Sequence, residues 1–382
     1  MTKKYTPIGV HATALSLLSI MSYRLWHNLM YLQQAQRLAT DSSGTLPKVS
    51  ILVPARNEAR NIVPCIESLV SQDYPEFEII VLNDLSSDET GTLLDSLATQ
   101  YPNVRVLHGT EDPPKGWNGK SYACHRLAEQ ATGEWLLFTD ADTVHSSASV
   151  AQGITQAKKL GVALLSVFPK QITESWGEQI VVSFILDFLP LIAVDLNALW
   201  QNGSSTALAN GQYLLVNAEA YHAMGGHQAI FNELVDDFAL AKQVRLGGYK
   251  TAMVSGTSML SCRMYHNASE VWGGFSKNLM LGLETSAAKK PPAWFGPLFA
   301  WGYACIFVLP FFYLLNAPQK RLPLLEIGWL AFLRGCINFY FRRSLSEVIT
   351  TPLAAWSVMA LGLNALLRQG KEVQWKGRHY KT

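Results

Sequence analysis

Apolar runs alternate with amphipathic segments between residues 48 and 141. Each run is short and rich in Val, Ile and Leu, as strands are, and each segment between runs carries apolar residues at helical spacing. Strands are predicted at 49–53, 78–82, 104–109 and 134–141, and helices near 59–72, 88–100 and 119–131. The alternation predicts an α/β fold with a mostly parallel sheet and right-handed crossovers.

Longer apolar stretches lie at both ends of the chain. Residues 8–23 fall short of the roughly 20 apolar residues that a membrane span needs. They predict an uncleaved N-terminal anchor, as either one tilted span or an interfacial helix. Three C-terminal stretches predict two or three transmembrane helices, at 293–315, 322–341 and 348–367. The middle stretch contains Glu326 and Arg334, which indicate either a polar intramembrane site or an interfacial helix.

A further apolar segment, residues 179–200, is interrupted by Asp187, Pro190 and Asp195. The interruptions argue against a span, so the segment predicts either an interfacial helix that presents the site to lipid or a buried core helix. The chain therefore divides into four parts. These are an N-terminal anchor at 1–46, a catalytic domain at 47–290, transmembrane helices at 291–368 and a basic tail at 369–382.

The composition agrees with a soluble domain joined to membrane segments, because 49% of the 382 residues are hydrophobic. A net charge of +2 gives no indication of a nucleic-acid partner. The five cysteines show no C-x-x-C spacing, so they predict neither a zinc site nor a disulfide framework. They favour a domain that faces the reducing cytosol. The basic C-terminal tail favours the same side, although the basic loop at 319–321 competes with it.

Polar clusters follow three of the predicted strands. They read "PARNE" from Pro54, "NDLSSD" from Asn83 and "DADT" from Asp140. Ligands bind at the carboxyl ends of strands in such sheets, although each cluster alone is also consistent with turns and helix caps. The G-x-G-x-x-G and Walker sequences are missing, which disfavours a hydride-transfer enzyme and a P-loop ATPase.

The third cluster places two carboxylates, Asp140 and Asp142, two positions apart at the end of an apolar strand. Such a pair repels unless a cation or a shared proton lies between the carboxylates. A divalent ion such as Mg²⁺ takes one or two carboxylates and completes its shell with substrate phosphate oxygens. The pair therefore suggests a diphosphate substrate, with two solvated loop carboxylates as the alternative.

The motifs "VSILVPARNEARNI", "VLNDLSSDET" and "LLFTDADT", in this order and spacing, resemble the inverting family-2 glycosyltransferases over about residues 48–280. The resemblance implies a nucleotide-diphospho-sugar transferase fold of the GT-A type. The segments "PPKGWNGKSYACH" and "WKGRHY" resemble a membrane-bound branch that includes carotenoid and hopanoid-associated glycosyltransferases. That branch implies a bacterial plasma-membrane protein whose catalytic domain faces the cytosol.

The resemblance also implies roles for single residues on the donor side. Pro54, Ala55 and Glu58 would border the nucleotide, and Asp84 would meet the uracil of a UDP-sugar. Lys120 would approach the diphosphate. Asp140 would lie near the ribose and the metal, and Asp142 would bind Mg²⁺ or Mn²⁺ directly. Gly211 and Gln212 would line the sugar pocket, although a turn before a strand also explains them.

On the acceptor side, Asp236 and Asp237 begin an amphipathic segment. The family pattern implies that Asp237 is the general base and that Asp236 supports it, whereas helix capping is the structural alternative. The Q-x-x-R-W signature of processive members is missing, so the resemblance implies transfer of a single sugar to a lipid-soluble acceptor such as a carotenoid. A polyprenyl-phosphate or hopanoid glycosyltransferase is the second hypothesis, and a catalytically silent membrane scaffold is the third.

Overall fold

The structure, a computed structural model, describes residues 8–38, 46–201, 206–276, 295–317, 319–368, 372–375 and 378–381. Its strands are β1 Val49–Ala55, β2 Phe77–Asn83, β3 Val104–His108, β4 Trp135–Phe138, β5 Thr143–His145, β6 Leu164–Gln171, β7 Leu214–Asn217, β8 Thr251–Cys262, β9 Glu372–Trp375 and β10 Arg378–Lys381. The predicted strands are all present.

The α-helices of the sheet domain include the three predicted ones. They are α2 Ile62–Val70, α3 Thr90–Gln100, α4 Gly119–Glu129, α5 Ser149–Leu160, α6 Trp176–Ser183, α7 Leu189–Ala193, α8 Leu196–Trp200, α9 Ala218–Ala223 and α10 Asp236–Leu246. A π-helix, Phe184–Phe188, joins α6 to α7, and a 3₁₀ helix spans Gly226–Ile230. The flanking helices are α1 Ile8–Leu38, α11 Phe295–Phe307, α12 Leu309–Asn316, α13 Arg321–Tyr340, α14 Ser346–Ile349 and α15 Thr351–Arg368.

Eight strands form one sheet in the order β3-β2-β1-β4-β7-β6-β8-β5. Strands β1 to β4 pair in parallel, and the antiparallel strand β7 joins them to the parallel pair β6 and β8. The chain leaves β1 toward β2 and β3 and then returns to place β4 on the other side of β1. A crevice opens at such a reversal of strand order, and its walls are the loops after β1 and β4.

The sheet is buried on both faces. All four residues of β4 are buried, and the side chains of β1 divide between two apolar clusters. Ile51 and Val53 face the cluster that contains α2 and α5, whereas Leu52 faces the cluster that contains α4 and α10. Parallel strands covered by helices on both faces read as unbroken apolar runs, which is why these strands were visible in the sequence.

Helix α1 connects the sheet domain to the C-terminal helices. A buried stripe recurs every three or four residues along it, at Val10, Ala14, Leu18, Met21, Leu25, Asn28, Leu32 and Ala35. Helix α1 contacts α5, α7 and α8 in the sheet domain and α11 and α13 toward the C-terminus. The N-terminal segment is therefore one continuous helix that packs along its whole length.

Two described helical segments, Trp176–Ala193 and Arg321–Tyr340, are long and apolar enough to cross a membrane. The pair Gly296–Phe307 and Leu309–Asn316, bent by 46°, makes a third if it acts as one span. Buried residues make up 56% of the first segment, in keeping with the core-helix alternative for this part of the chain, against 39% of the second. Among the described helices, α1 and α15 do not meet the same criterion.

The two charged residues inside α13 are buried and paired. Glu326 lies 2.8 Å from His11 of α1, and Arg334 donates to the carbonyl oxygen of Ser183 at 3.1 Å. Arg334 also lies 3.4 Å from Glu347 of α14. These contacts join α13 to its neighbours, so its charged residues face protein.

Asn28 forms hydrogen bonds with backbone groups at the break between α7 and α8. Its amide donates to the carbonyl oxygens of Leu191 at 2.8 Å and Val194 at 2.7 Å, and its side-chain oxygen accepts from the backbone N–H of Leu196 at 3.0 Å. Asn28 is fully buried, so water cannot replace these bonds. This one side chain therefore satisfies three backbone groups that the end of α7 and the start of α8 leave open.

We expect Asn28→Leu to destabilise the protein by ~3 kcal/mol or more, because each buried backbone group left unpaired costs about 1–3 kcal/mol. The melting temperature of the purified protein in detergent would fall by several degrees. The matched control is Gln33→Leu, which replaces an exposed amide on the same helix and should leave the melting temperature nearly unchanged. Equal melting temperatures for the two variants would contradict the role of Asn28.

Candidate active site at the carboxyl edge of the sheet

A cavity of about 690 Å³ opens where strand order reverses, at the carboxyl ends of β1 and β4. Eight of the residues predicted from the sequence line it. They are Pro54, Ala55, Glu58, Asp84, Lys120, Asp140, Asp142 and Asp236. Residues up to 182 positions apart in the chain therefore meet in one crevice.

The loops after β1 and β2 are joined by hydrogen bonds along one wall of the cavity. The backbone N–H of Asn57 donates to Ser86 Oγ at 3.0 Å, and that of Glu58 donates to Thr90 Oγ1 at 2.8 Å. Arg56 donates to the carbonyl oxygen of Asp84 at 2.8 Å. These bonds hold residues 56–61 out of the helix, which is why α2 begins at Ile62 and not near residue 59.

Lys120 lies among the carboxylates of the cavity. It occupies the first turn of α4, whose N-terminus is capped by Asn118 through a 2.9 Å bond from the Lys120 backbone N–H. Its Nζ lies 2.7 Å from Asp140 Oδ1 and 3.6 Å from Asp236 Oδ2. Burial lowers the pKa of Lys120, but the charges of Asp140 and Asp236 outweigh burial and hold that pKa well above its usual value. Lys120 is therefore a fixed cation at neutral pH.

The two carboxylates in the first turn of α10 do not cap the helix. The N-cap position is Val235, which makes no side-chain cap bond. Asp237 Oδ2 instead accepts from the backbone N–H of Gly211 at 2.9 Å, and its Oδ1 accepts from that of Phe238 at 2.8 Å. Burial, reinforced by the charge of Asp236, raises the pKa of Asp237 to about 7. A carboxylate with this pKa is suited to general base catalysis near neutral pH.

Gly211 lies where three charged side chains meet. A Cβ added there would be 3.0 Å from Lys120 Nζ and 3.6 Å from both Asp140 Oδ2 and Asp237 Oδ2. The absence of a side chain at Gly211 therefore leaves the space in which Lys120, Asp140 and Asp237 approach one another.

Gln212 does not line the cavity, although the sequence placed it in the sugar pocket. It is buried beneath the cavity, where its Nε2 contacts Cys262 Sγ at 2.9 Å and its Oε1 accepts from Gln171 at 2.8 Å. Cys262 is in turn hydrogen-bonded to Asp142. Gln212 thus supports Asp142 from below through Cys262. Sequence reasoning missed Cys262 and Gln171, because single residues at the ends of β8 and β6 form no motif.

A second group that the sequence did not indicate follows β8. The cavity is also lined by Met264, Tyr265, His266, Glu270 and Gly274. A Cβ at Gly274 would lie 2.2 Å from the hydroxyl of Tyr265, so the helical residues 268–276 approach this ring closely.

The donor set at Asp140 and Asp142 fits a hard divalent cation. Both carboxylates line the same cavity, and the Lys120 ammonium at 2.7 Å from Asp140 shows that a positive charge is favoured there. Oxygen ligands of this kind suit Mg²⁺ or Mn²⁺.

Known proteins resemble the chain over the region that builds this cavity. Residues 50–235 match the family described as glycosyl transferase family 2. A relative from Staphylococcus aureus strain MRSA252, named 4,4'-diaponeurosporenoate glycosyltransferase, is 24% identical over 343 residues, 87% of this chain and 88% of the relative. Its namesake from strain USA300 is 29% identical over 237 residues, 61% of each chain.

A solved structure shares the fold. It is a mannosyltransferase from Pyrobaculum calidifontis in complex with GDP-Man and Mn²⁺, with a TM-score of 0.54 and 17% identity. The similarity covers 94% of this chain and 99% of that one. At this identity the comparison shows the GT-A architecture of the sheet domain and its flanking helices.

The raised pKa of Asp237 predicts a pH dependence. A general base acts in its deprotonated form, so if Asp237 has this role, kcat/KM for sugar transfer should rise as the pH rises through about 7. Asp236→Asn removes a charge that raises the pKa of Asp237. The rise of kcat/KM on the acid side of its pH profile should therefore move to lower pH. The measurement is the pH profile of kcat/KM for both proteins, with donor binding measured in parallel. An acid limb that stays in place in the variant would contradict the coupling.

Gly211→Ala should lower transfer at least ~10-fold, equivalent to about 1.4 kcal/mol, because the added methyl group pushes Lys120 away from Asp140. Donor affinity and kcat are measured by calorimetry and a transfer assay. Gly9→Ala is the matched control, since a Cβ there meets nothing within 4 Å. Full activity in Gly211→Ala would show that this close approach is not needed.

Proposed function

We propose, from the match of residues 50–235 to glycosyl transferase family 2, that the chain transfers one sugar from a nucleoside-diphosphate sugar to an apolar, carotenoid-type lipid with inversion at the anomeric carbon. The observation that carries the proposal is the meeting of Lys120, Asp140 and Asp142 in one cavity at the carboxyl edge of the sheet. Asp237 does not line this cavity but lies beside it, where it accepts from the backbone N–H of Gly211. Only tertiary folding brings these charges together.

The donor would occupy the half of the cavity beside β1 and β2. Pro54, Ala55 and Glu58 would border the nucleotide, and Asp84, held beside Arg56, would meet a uracil base. Lys120 would exchange its carboxylate partner for the diphosphate, which carries more charge. Asp140 and Asp142 would hold Mg²⁺ or Mn²⁺, which when bound stabilises negative charge on the diphosphate.

Asp237 would act on the acceptor side. It removes the proton from an acceptor hydroxyl as the oxygen attacks the anomeric carbon, and the bond from that carbon to the diphosphate oxygen breaks. A single displacement of this kind inverts the anomeric configuration. The backbone N–H groups of Gly211 and Phe238 hold the carboxylate in place, and Asp236 keeps its pKa high.

The names of the relatives raise the question of which chemical group of the lipid accepts the sugar. They glycosylate 4,4'-diaponeurosporenoate, whose ending denotes a carboxylate. A carboxylate acceptor would attack without losing a proton and would form a sugar ester, whereas a hydroxyl acceptor needs Asp237 and forms a glycoside. Because this chain has a candidate base in Asp237, a hydroxyl acceptor is favoured. The apolar surroundings of the sheet domain fit either lipid.

A location at the cytosolic face of a bacterial plasma membrane accounts for the remaining features. The five cysteines are free, as expected in a reducing compartment, and the apolar helices after the catalytic domain would hold it at the bilayer. A polyprenyl-phosphate acceptor would need further cations, for which "WKGRHYK" is the candidate segment. A silent scaffold would have no need to keep Asp142 and Asp237 together with Lys120.

The test is mass spectrometry of lipid and pigment extracts from cells that express the wild-type chain or Asp142→Ala at equal levels. A glycosylated carotenoid present only with the wild-type chain is the expected result, because Asp142→Ala removes the metal carboxylate. Mild alkali then distinguishes the acceptors, since it cleaves a sugar ester and leaves a glycoside intact. A glycosylated hopanoid or polyprenyl phosphate in place of the carotenoid would overturn the acceptor assignment, and equal products from both proteins would overturn the metal assignment.

A further inference from the structure

A second cluster of metal-ligand residues lies behind the wall of the cavity. The ligand atoms of Cys124, His227 and Asp236 all lie within 4.8 Å of one another, and all three residues are buried. Cys124 belongs to α4, His227 to the 3₁₀ helix and Asp236 to the first turn of α10. The spacing along the chain gave no indication of this group, because its members are more than 100 residues apart at the widest.

The histidine is oriented toward the cluster. Its Nδ1 shares a 2.8 Å hydrogen bond with the hydroxyl of Tyr221, and its backbone N–H donates to the same hydroxyl at 3.1 Å. Its Nε2 is buried and has no hydrogen-bond partner among the described residues. An unpaired buried polar atom costs about 1–3 kcal/mol. A ligating histidine is commonly held in this way, with one ring nitrogen fixed by a neighbour and the other directed at the metal.

We infer that Cys124, His227 and Asp236 form a second metal site, which takes Zn²⁺ or another borderline divalent ion. One sulfur, one imidazole nitrogen and one carboxylate oxygen are ligands that zinc accepts and that Mg²⁺ does not select. A tetrahedral zinc ion spaces such ligand atoms about 3.3–3.6 Å apart, so side-chain movements of ~1 Å would close the cluster.

The ion has a route to this site. Of the three ligand residues, Asp236 lines the main cavity together with Lys120 and Ala123, so the cluster borders that space through Asp236. Three protein ligands leave a fourth position for water. An ion here would connect α4, which carries the donor lysine, to α10, which carries the candidate base.

Occupancy would also act on the donor site. Asp236 Oδ2 lies 3.6 Å from Lys120 Nζ, and a carboxylate bound to zinc attracts that ammonium less. Lys120 would then keep Asp140 as its partner until the diphosphate arrives. The inference does not depend on the identity of the acceptor or of the sugar.

Cobalt titration of the full-length wild-type protein in excess Mg²⁺ tests the site. Magnesium saturates the carboxylates at Asp140 and Asp142, and a thiolate bound to Co²⁺ gives a charge-transfer band in the near ultraviolet. We expect the band to saturate at one ion per chain and to disappear on addition of Zn²⁺. Absence of the band from the wild-type protein would overturn the inference, and this measurement needs no variant.

Variants then assign the ligands. Cys124→Ser and His227→Asn should each lower the apparent affinity for Co²⁺ at least ~100-fold, whereas Cys336→Ser and His222→Ala, in α13 and on the exposed surface of α9, should leave it unchanged. A band that survives Cys124→Ser would come from another thiol, such as Cys262 beside Asp142, and would overturn the assignment. Zinc content by elemental analysis of the same proteins should follow the same order.

Discussion

The ammonium group of Lys120 is the contact on which the site depends. Asp140 approaches it from the loop after β4 and Asp236 from α10, and Asp237 lies close by across Gly211. Carboxylates buried this near one another would repel, and each would take up a proton, without a cation among them. The positive charge of Lys120 therefore stabilises several carboxylates at the edge of the sheet, where a charged donor would bind.

The two aspartates of α10 differ because of what surrounds them. Asp236 faces Lys120 and Cys124, whereas Asp237 accepts two backbone N–H bonds and carries a raised pKa. Burial alone would favour the protonated form of Asp237, and its hydrogen bonds preserve the deprotonated one. The result is a carboxyl group, that of Asp237, with a pKa of about 7. This pKa arises from the surroundings of the residue and not from the residue type.

The sheet domain and the apolar helices behave as one packed unit through α1. The buried stripe of α1 contacts both, and Asn28 satisfies the backbone at the break between α7 and α8. The segment 179–200 is explained in the same way, since its polar interruptions pair with neighbours such as Arg343, which donates to Asp187 at 2.8 Å. An apolar segment whose charged residues have partners is stable as a helix packed against protein.

Periodicity in the sequence was enough for the strands and helices of the first 141 residues, because strands buried on both faces read as unbroken apolar runs. The polar residues at the strand ends were also visible, since parallel strands direct their carboxyl ends to one edge. Local pattern could not decide which polar groups touch. Gln212 was expected in the sugar pocket but supports Asp142 through Cys262, and the cysteines that showed no zinc spacing include Cys124, which meets His227 and Asp236. Contacts between distant segments depend on the order of strands and the packing of helices, and only the tertiary structure fixes these.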